Sequence, residues 1–135
     1  MDFLGKKYKL EKSENFDEYM KALGVGLVTR KMGNAVSPTV ELLQEGDTFT
    51  LRTTSTFKNT EIKFKNNEEI DEETADGRKC KSLLTLEGNK LTQVQRNVKE
   101  GEKETVIVRE WSADELKTTL TVGDIVCVRD YKVVA

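Results

Sequence analysis

The sequence contains no histidine, and that absence narrows its chemistry more than any residue present. The usual general base, the commonest metal ligand and every triad built on imidazole are missing with it. Proline occurs once, at Pro38. Cysteine occurs twice, and Cys80 and Cys127 lie far apart with no metal-type spacing. Both fall in apolar strand patterns, so free buried thiols in a reducing compartment are expected rather than a disulfide. The nine glycines are spread singly, without a phosphate-cradling loop. Aromatic content is 7%, and 22 Lys and Arg are balanced by 24 Asp and Glu, which argues against a nucleic-acid partner. No run approaches the roughly 20 apolar residues that cross a bilayer. The first seven residues lack the apolar core of a signal peptide. One domain over residues 1–135 in the cytoplasm is the expectation.

What is present falls into two kinds of pattern. Asn15 is a good helix N-cap and Glu18 sits three residues on, the spacing of a capping box. Phe16, Tyr19, Met20 and Leu23 then recur on one helical face, and Gly24 can close the helix. A second short helix over roughly 27–36 carries Val28, Met32, Ala35 and Val36 at helical spacing, with Pro38 at its exit. Both apolar stripes predict helices that lie on something else, since helices this short are marginal alone.

Everything else reads as strands. A first run over 5–12 has Tyr8 and Leu10 on one face, and a weak run covers 68–74. Eight more span 39–44, 48–55, 57–65, 79–87, 90–97, 104–111, 115–122 and 125–133, separated by turn signals such as Glu45-Gly46-Asp47 and Glu87-Gly88-Asn89. Hairpin-length turns predict an antiparallel meander, closed into a barrel or a clam of two sheets.

The strand faces carry the functional signal. In Val126-Cys127-Val128-Arg129-Asp130-Tyr131, a period of two puts Cys127, Arg129 and Tyr131 on one face. A guanidinium and a phenol two residues apart suit an anionic oxygen pair. Arg109 occupies a similar run upstream. The alternative is that both arginines face solvent, balanced by Asp130 and Glu110. A solid core would rarely hold Gln95, Arg109 and Arg129 together, because unpaired buried polar groups cost several kcal/mol. Ten strands enclose more room than the roughly eight whose interior side chains can fill, which favours a barrel with a polar, water-containing cavity.

Several segments sharpen this. Lys6-Lys7-Tyr8-Lys9-Leu10 is followed by Asn15-Phe16-Asp17-Glu18-Tyr19-Met20-Lys21-Ala22-Leu23, then by Gly24-Val25-Gly26 and Thr29-Arg30-Lys31. Ser55-Thr56-Phe57-Lys58-Asn59-Thr60-Glu61, Asp71-Glu72-Glu73-Thr74-Ala75-Asp76 and the terminal Arg129-Asp130-Tyr131 complete the set. In these the chain resembles the intracellular lipid-binding proteins, most closely the fatty acid-binding branch of invertebrates and muscle. The resemblance spans essentially the whole chain. It implies an all-β fold, a ten-stranded antiparallel up-and-down β-barrel or β-clam capped by a helix-turn-helix lid over about 15–36.

It further implies a carrier of long-chain fatty acids, monomeric, without cofactor, metal or bond chemistry. Arg109, Arg129 and Tyr131 would hold the ligand carboxylate. Phe16, Met20, Val25, Val40, Ser55 and Phe57 would line the cavity and its portal, with Ala75, Asp76 and Leu120, while Gln95 would help order cavity water. Val40 stands where relatives often carry threonine, removing one hydroxyl near the head group. The Asn97–Glu104 hairpin is longer and more charged than in many relatives, so a retinoic acid carrier of the same fold stays open. Lys21, Arg30 and Lys31 would project from the lid. They are expected to touch anionic membranes transiently, or to serve as an import patch that adds a nuclear location to the cytoplasmic one.

Overall fold

The structure is a computed structural model that describes residues 2–74, 77–97 and 103–134. Among them ten strands and two helices follow one another: β1 (Lys7–Glu14), α1 (Phe16–Ala22), α2 (Leu27–Ala35), β2 (Thr39–Glu45), β3 (Thr48–Thr54), β4 (Thr60–Lys65) and β5 (Glu68–Glu73), then β6 (Lys79–Glu87), β7 (Lys90–Asn97), β8 (Thr105–Trp111), β9 (Glu115–Val122) and β10 (Ile125–Val134). All pairings are antiparallel, in the order β4-β3-β2-β1-β10-β9-β8-β7-β6-β5. The sheet curls into a nearly closed barrel whose open seam lies between β4 and β5, consecutive strands that share no ladder. The expected meander is therefore the observed one. One boundary moves: β4 begins at Thr60 rather than near 57, because Ser55 to Asn59 form a tight turn. In it the Ser55 hydroxyl accepts from the amides of Phe57 and Lys58.

Alternation along the strands sets two apolar clusters with a polar belt between them. At the closed end Phe3, Tyr8, Leu42, Phe64, Leu91, Trp111 and Leu116 pack together, with Phe3 stacked on Trp111 at 5.1 Å between ring centroids. Under the lid Tyr19, Met20, Val25, Ile107, Leu120 and Cys127 form the second cluster. Between these on the same inward faces lie Ser82, Gln93, Thr118 and Arg129, all buried and polar. The outer faces carry cross-strand ion pairs, such as Arg52 with Glu41 and Glu61, which contribute little individually.

The helices match their expected spans but depart in two respects. The α1 stripe turns to the barrel as expected, with Tyr19 and Met20 buried. Gly24 follows the helix at φ +83°, a left-handed conformation that glycine adopts without strain. Asn15, however, makes no capping bond. Its own φ of 63° turns the side chain away, and its Nδ2 donates to the Val126 carbonyl of β10 at 3.1 Å, pinning the start of α1 to the sheet. The second departure is larger. α2 turns most of its apolar stripe to solvent: Val28 is 73% exposed, Met32 45%, and Ala35 is also exposed. Gly33 lies against α1 instead, where an added Cβ would stand 3.1 Å from the Met20 sulfur. Close approach on a glycine, rather than burial of the stripe, decides which way α2 faces.

Candidate ligand-binding cavity

Strand register builds the head of the cavity. Arg109 on β8 pairs with Thr118 on β9, Thr118 pairs with Arg129 on β10, and Arg129 pairs with Ser13 on β1. Neighbouring strands lie about 4.8 Å apart, so the two arginines flank Thr118 from backbones roughly 10 Å apart. Ser13 reaches this row because β1 carries a bulge. Leu10 faces Tyr131 and Lys12 faces the outward Asp130, so the extra residue between them brings Ser13, rather than Lys12, into register with Arg129, where it remains exposed at the rim.

Arg129 is 5% exposed; its direct partners are neutral, while Asp17 and Glu18 line a surface pocket beside it. Its Nη1 donates to Ser13 Oγ at 3.1 Å, and its guanidinium carbon stands 3.8 Å from the centre of the Phe16 ring, a cation–π contact that ties α1 to the site. Among the described residues no acid forms an ion pair with it. Arg109 is held differently. Its Nη1 donates to Gln93 Oε1 at 2.7 Å, and Gln93 Nε2 donates to Glu72 Oε1 at 2.8 Å. The same Glu72 oxygen accepts from Ser82 Oγ at 2.5 Å and from Gln95 Nε2 at 3.1 Å. Burial holds the Arg109 pKa below the usual arginine range, opposed by Tyr131, Glu72 and Tyr19.

One cavity collects most of the expected residues. About 210 Å³ of it is open to the centre of a water-sized sphere, and Arg109, Arg129 and Tyr131 meet there with Phe16, Val40, Ser55, Phe57 and Leu120. Gly33, Val36 and Pro38 of the lid and its exit, Lys58 of the β3–β4 turn, and the strand threonines Thr53, Thr60 and Thr118 complete the wall. Met20 and Val25 lie instead in the apolar cluster under the lid, and Gln95 lies in the Glu72 network. Ala75, Asp76 and most of the Asn97–Glu104 hairpin fall outside the described residues. Burial pushes the Tyr19 phenol up to about 12 and the Cys127 thiol up to about 11. Both cysteines are buried and no disulfide joins them, as expected.

The lid patch is smaller than the sequence suggests. Lys21 and Lys31 are exposed, but Arg30 is folded inward. Its Nε donates to Asp17 Oδ1 at 3.2 Å and its Nη1 to the Val25 carbonyl at 2.7 Å, so its charge staples α2 to α1. Four polar contributors were not singled out from the sequence at all: Ser13, Glu72, Gln93 and Thr118. Glu72 had one signal, its period-two spacing from Ile70 on β5, which places it on the inward face.

A nearly closed ten-stranded barrel, lidded by two helices and holding two arginines in a largely apolar cavity, defines a carrier of small amphipathic molecules. The comparisons narrow that class. The chain belongs to the lipocalin / cytosolic fatty-acid binding protein family, whose model matches residues 4–134. It is 51% identical over 130 residues to a fatty acid-binding protein of Tyrophagus putrescentiae, covering 96% of each chain. Among solved structures it is similar to a fatty acid-binding protein in brain tissue of Drosophila melanogaster, at 67% identity and a TM-score of 0.89 over 96% of this chain and 98% of that one. A Schistosoma mansoni fatty acid binding protein in complex with arachidonic acid matches at 48% identity and a TM-score of 0.92, over 99% and 97% of the two chains. These are binding proteins, and the expectation that the chain is no enzyme stands with them. Among the described residues no acidic, histidine or cysteine cluster could hold a metal, and no helix is long and apolar enough to cross a membrane.

Proposed function

We propose that this protein is a cytosolic, monomeric carrier that holds a long-chain fatty acid in its barrel and exchanges it without altering it. The observation that carries the reading is the convergence of Arg109, Arg129 and Tyr131 on one cavity whose remaining wall is largely apolar. A guanidinium fork and a phenol fit a carboxylate, while Phe16, Val40, Phe57 and Leu120 offer surface to a hydrocarbon chain. Tail burial supplies most of the affinity, at about 0.8 kcal/mol per methylene before ordering costs. The head group supplies orientation and selects acids over neutral lipids. Fatty acid ligands of the named relatives support the same assignment. Mass spectrometry of lipid co-purifying with the native protein tests it, with retinoic acid as the competing ligand in displacement assays. Recovery of long-chain fatty acid, unmodified after incubation, is expected. Recovery of retinoid alone, or of a chemically changed lipid, would overturn it.

Delivery to membranes is a second part of the reading, favoured by one observation. Leu27 at 58%, Val28 at 73% and Met32 at 45% exposure form an apolar face on α2, next to the exposed cations Lys21 and Lys31. An apolar face with flanking lysines suits an anionic bilayer surface, where each cation contributes on the order of 1 kcal/mol. Docking there would bring lipid to the wall that Gly33 and Val36 form over the cavity. Stopped-flow transfer of a fluorescent fatty acid should therefore be faster to anionic than to neutral vesicles and slow with salt. Replacing Lys21 and Lys31 by glutamine should slow transfer to anionic vesicles several-fold. Indifference of both proteins to vesicle charge and salt would leave simple aqueous release.

A further inference from the structure

We propose that Glu72 is a built-in counter-carboxylate which, through the amide of Gln93, holds back Arg109 and so sets how strongly the cavity prefers acids. The proposal rests on the carboxylate-site reading given above. Its basis is the direction of the hydrogen bonds. A guanidinium can only donate, so its 2.7 Å contact fixes Gln93 Oε1 toward Arg109. The other end of the same amide must then present its N–H groups, and Nε2 does so to Glu72 Oε1 at 2.8 Å. Ser82 Oγ, at 2.5 Å, and Gln95 Nε2, at 3.1 Å, converge on that same oxygen. Gln93 and Ser82 are fully buried and Gln95 nearly so, so the carboxylate is oriented by side chains that water does not replace. An acid so placed answers the charge of Arg109 across a single amide. It also polarises that amide, so the arginine's best donor is already engaged before any ligand arrives.

The two arginines are thereby unequal. Arg129 contacts the Ser13 hydroxyl and the Phe16 ring, has no acid paired with it among the described residues, and keeps its charge for an incoming anion. Arg109 must share its charge between Glu72 and the ligand. Chemically, Glu72 occupies the role of a weak internal competitor: a carboxylate that cannot leave, offset from the ligand position by one glutamine. Removing its charge while keeping its shape should make the cavity more positive and raise affinity for anionic ligands, with neutral ligands of the same chain unaffected. Adjusting this acid is a way to weaken acid binding enough for release without touching the groups that contact the ligand.

The test is the ratio of oleate to oleyl alcohol affinity, measured by displacement of a fluorescent ligand from wild type and Glu72→Gln. Both ligands share the tail, so changes in packing cancel in the ratio. A rise of roughly fivefold is expected, the scale of one charge acting across two hydrogen bonds in a protein interior. A rise of less than twofold, or a fall, overturns the proposal. Gln93→Met is the second variant, used if Glu72→Gln fails to fold. It cuts the relay with both charges in place and should move the ratio the same way, and the same twofold limit applies to it. Arg129→Gln, run in the same assay, separates the two claims. If it lowers oleate and alcohol affinity equally, the carboxylate site itself is wrong. If it acts on oleate alone while the ratio in the Glu72 and Gln93 variants stays flat, only the counter-carboxylate fails.

Discussion

Arg129→Gln is expected to lower oleate affinity roughly ten- to a hundredfold and leave oleyl alcohol within about twofold. A hydrogen bond to a charged group is worth about 1.5–3 kcal/mol, which sets that range. Arg129 should sit at the upper end because, among the described residues, no acid is hydrogen-bonded to or ion-paired with it. It is 5% exposed, its polar partner is the Ser13 hydroxyl, and its other neighbour is the face of Phe16. A buried cation without a directly paired acid is also costly to the free protein. Glutamine should therefore leave the unfolding midpoint unchanged or raise it, a readout that separates a lost ligand contact from a damaged fold. Arg109→Gln should cost less, since that guanidinium is already engaged by Gln93 and answered by Glu72. Equal losses for oleate and its alcohol on replacing Arg129 would remove the carboxylate assignment. Ligand displacement with both lipids, alongside thermal unfolding, is sufficient to decide.

How far the sequence itself leads can be judged on particular residues. Period-two alternation puts Cys127, Arg129 and Tyr131 on one face of β10 and Arg109 on the matching face of β8, and the fold turns both faces inward. That was readable because a polar face between apolar ends makes sense only around a cavity. What period alone cannot carry is register. Arg109 and Arg129 meet because each pairs with Thr118, a relation across three strands that no local pattern contains. Ser13 was hidden by the bulge after Leu10, which reverses the inward count in the middle of β1. Asn15 looked like a cap from its neighbours in sequence, yet its partner is Val126, 111 residues away. The stripe on α2 was real as a pattern. It named an apolar face without naming what that face would meet, and the approach of Gly33 to Met20 turned it outward. Arg30 failed for the same reason, because its partners Asp17 and Val25 belong to the neighbouring helix and turn.

Trp111→Ala should cost about 3–5 kcal/mol of stability while leaving the acid-to-alcohol preference of the folded protein intact. Trp111 is 1% exposed at the closed end of the barrel, stacked on Phe3 with ring planes 12° apart, and is the largest of the fully buried side chains. Its indole N–H has no hydrogen-bond partner among the described residues, so truncation removes packing and leaves no donor group unpaired. The strand itself should hold. The Trp111 amide donates to the Asn89 carbonyl at 2.9 Å, and the Asn89 side chain donates back to the Trp111 carbonyl, neither of which uses the ring. The residual cavity would lie against Phe3 and Leu116, with the N-terminal segment the part most able to shift into it. Such a loss is a large fraction of the 5–15 kcal/mol that holds a typical domain together. In urea it should appear as a lower midpoint at an unchanged slope, since the surface exposed on unfolding hardly changes. Met32→Ala, which truncates a side chain 45% exposed on the lid, is the contrast and should stay within about 0.5 kcal/mol. If Trp111→Ala cost no more than Met32→Ala, the closed end would not be where the barrel's stability resides. The apolar cluster beneath α1 would then have to carry it.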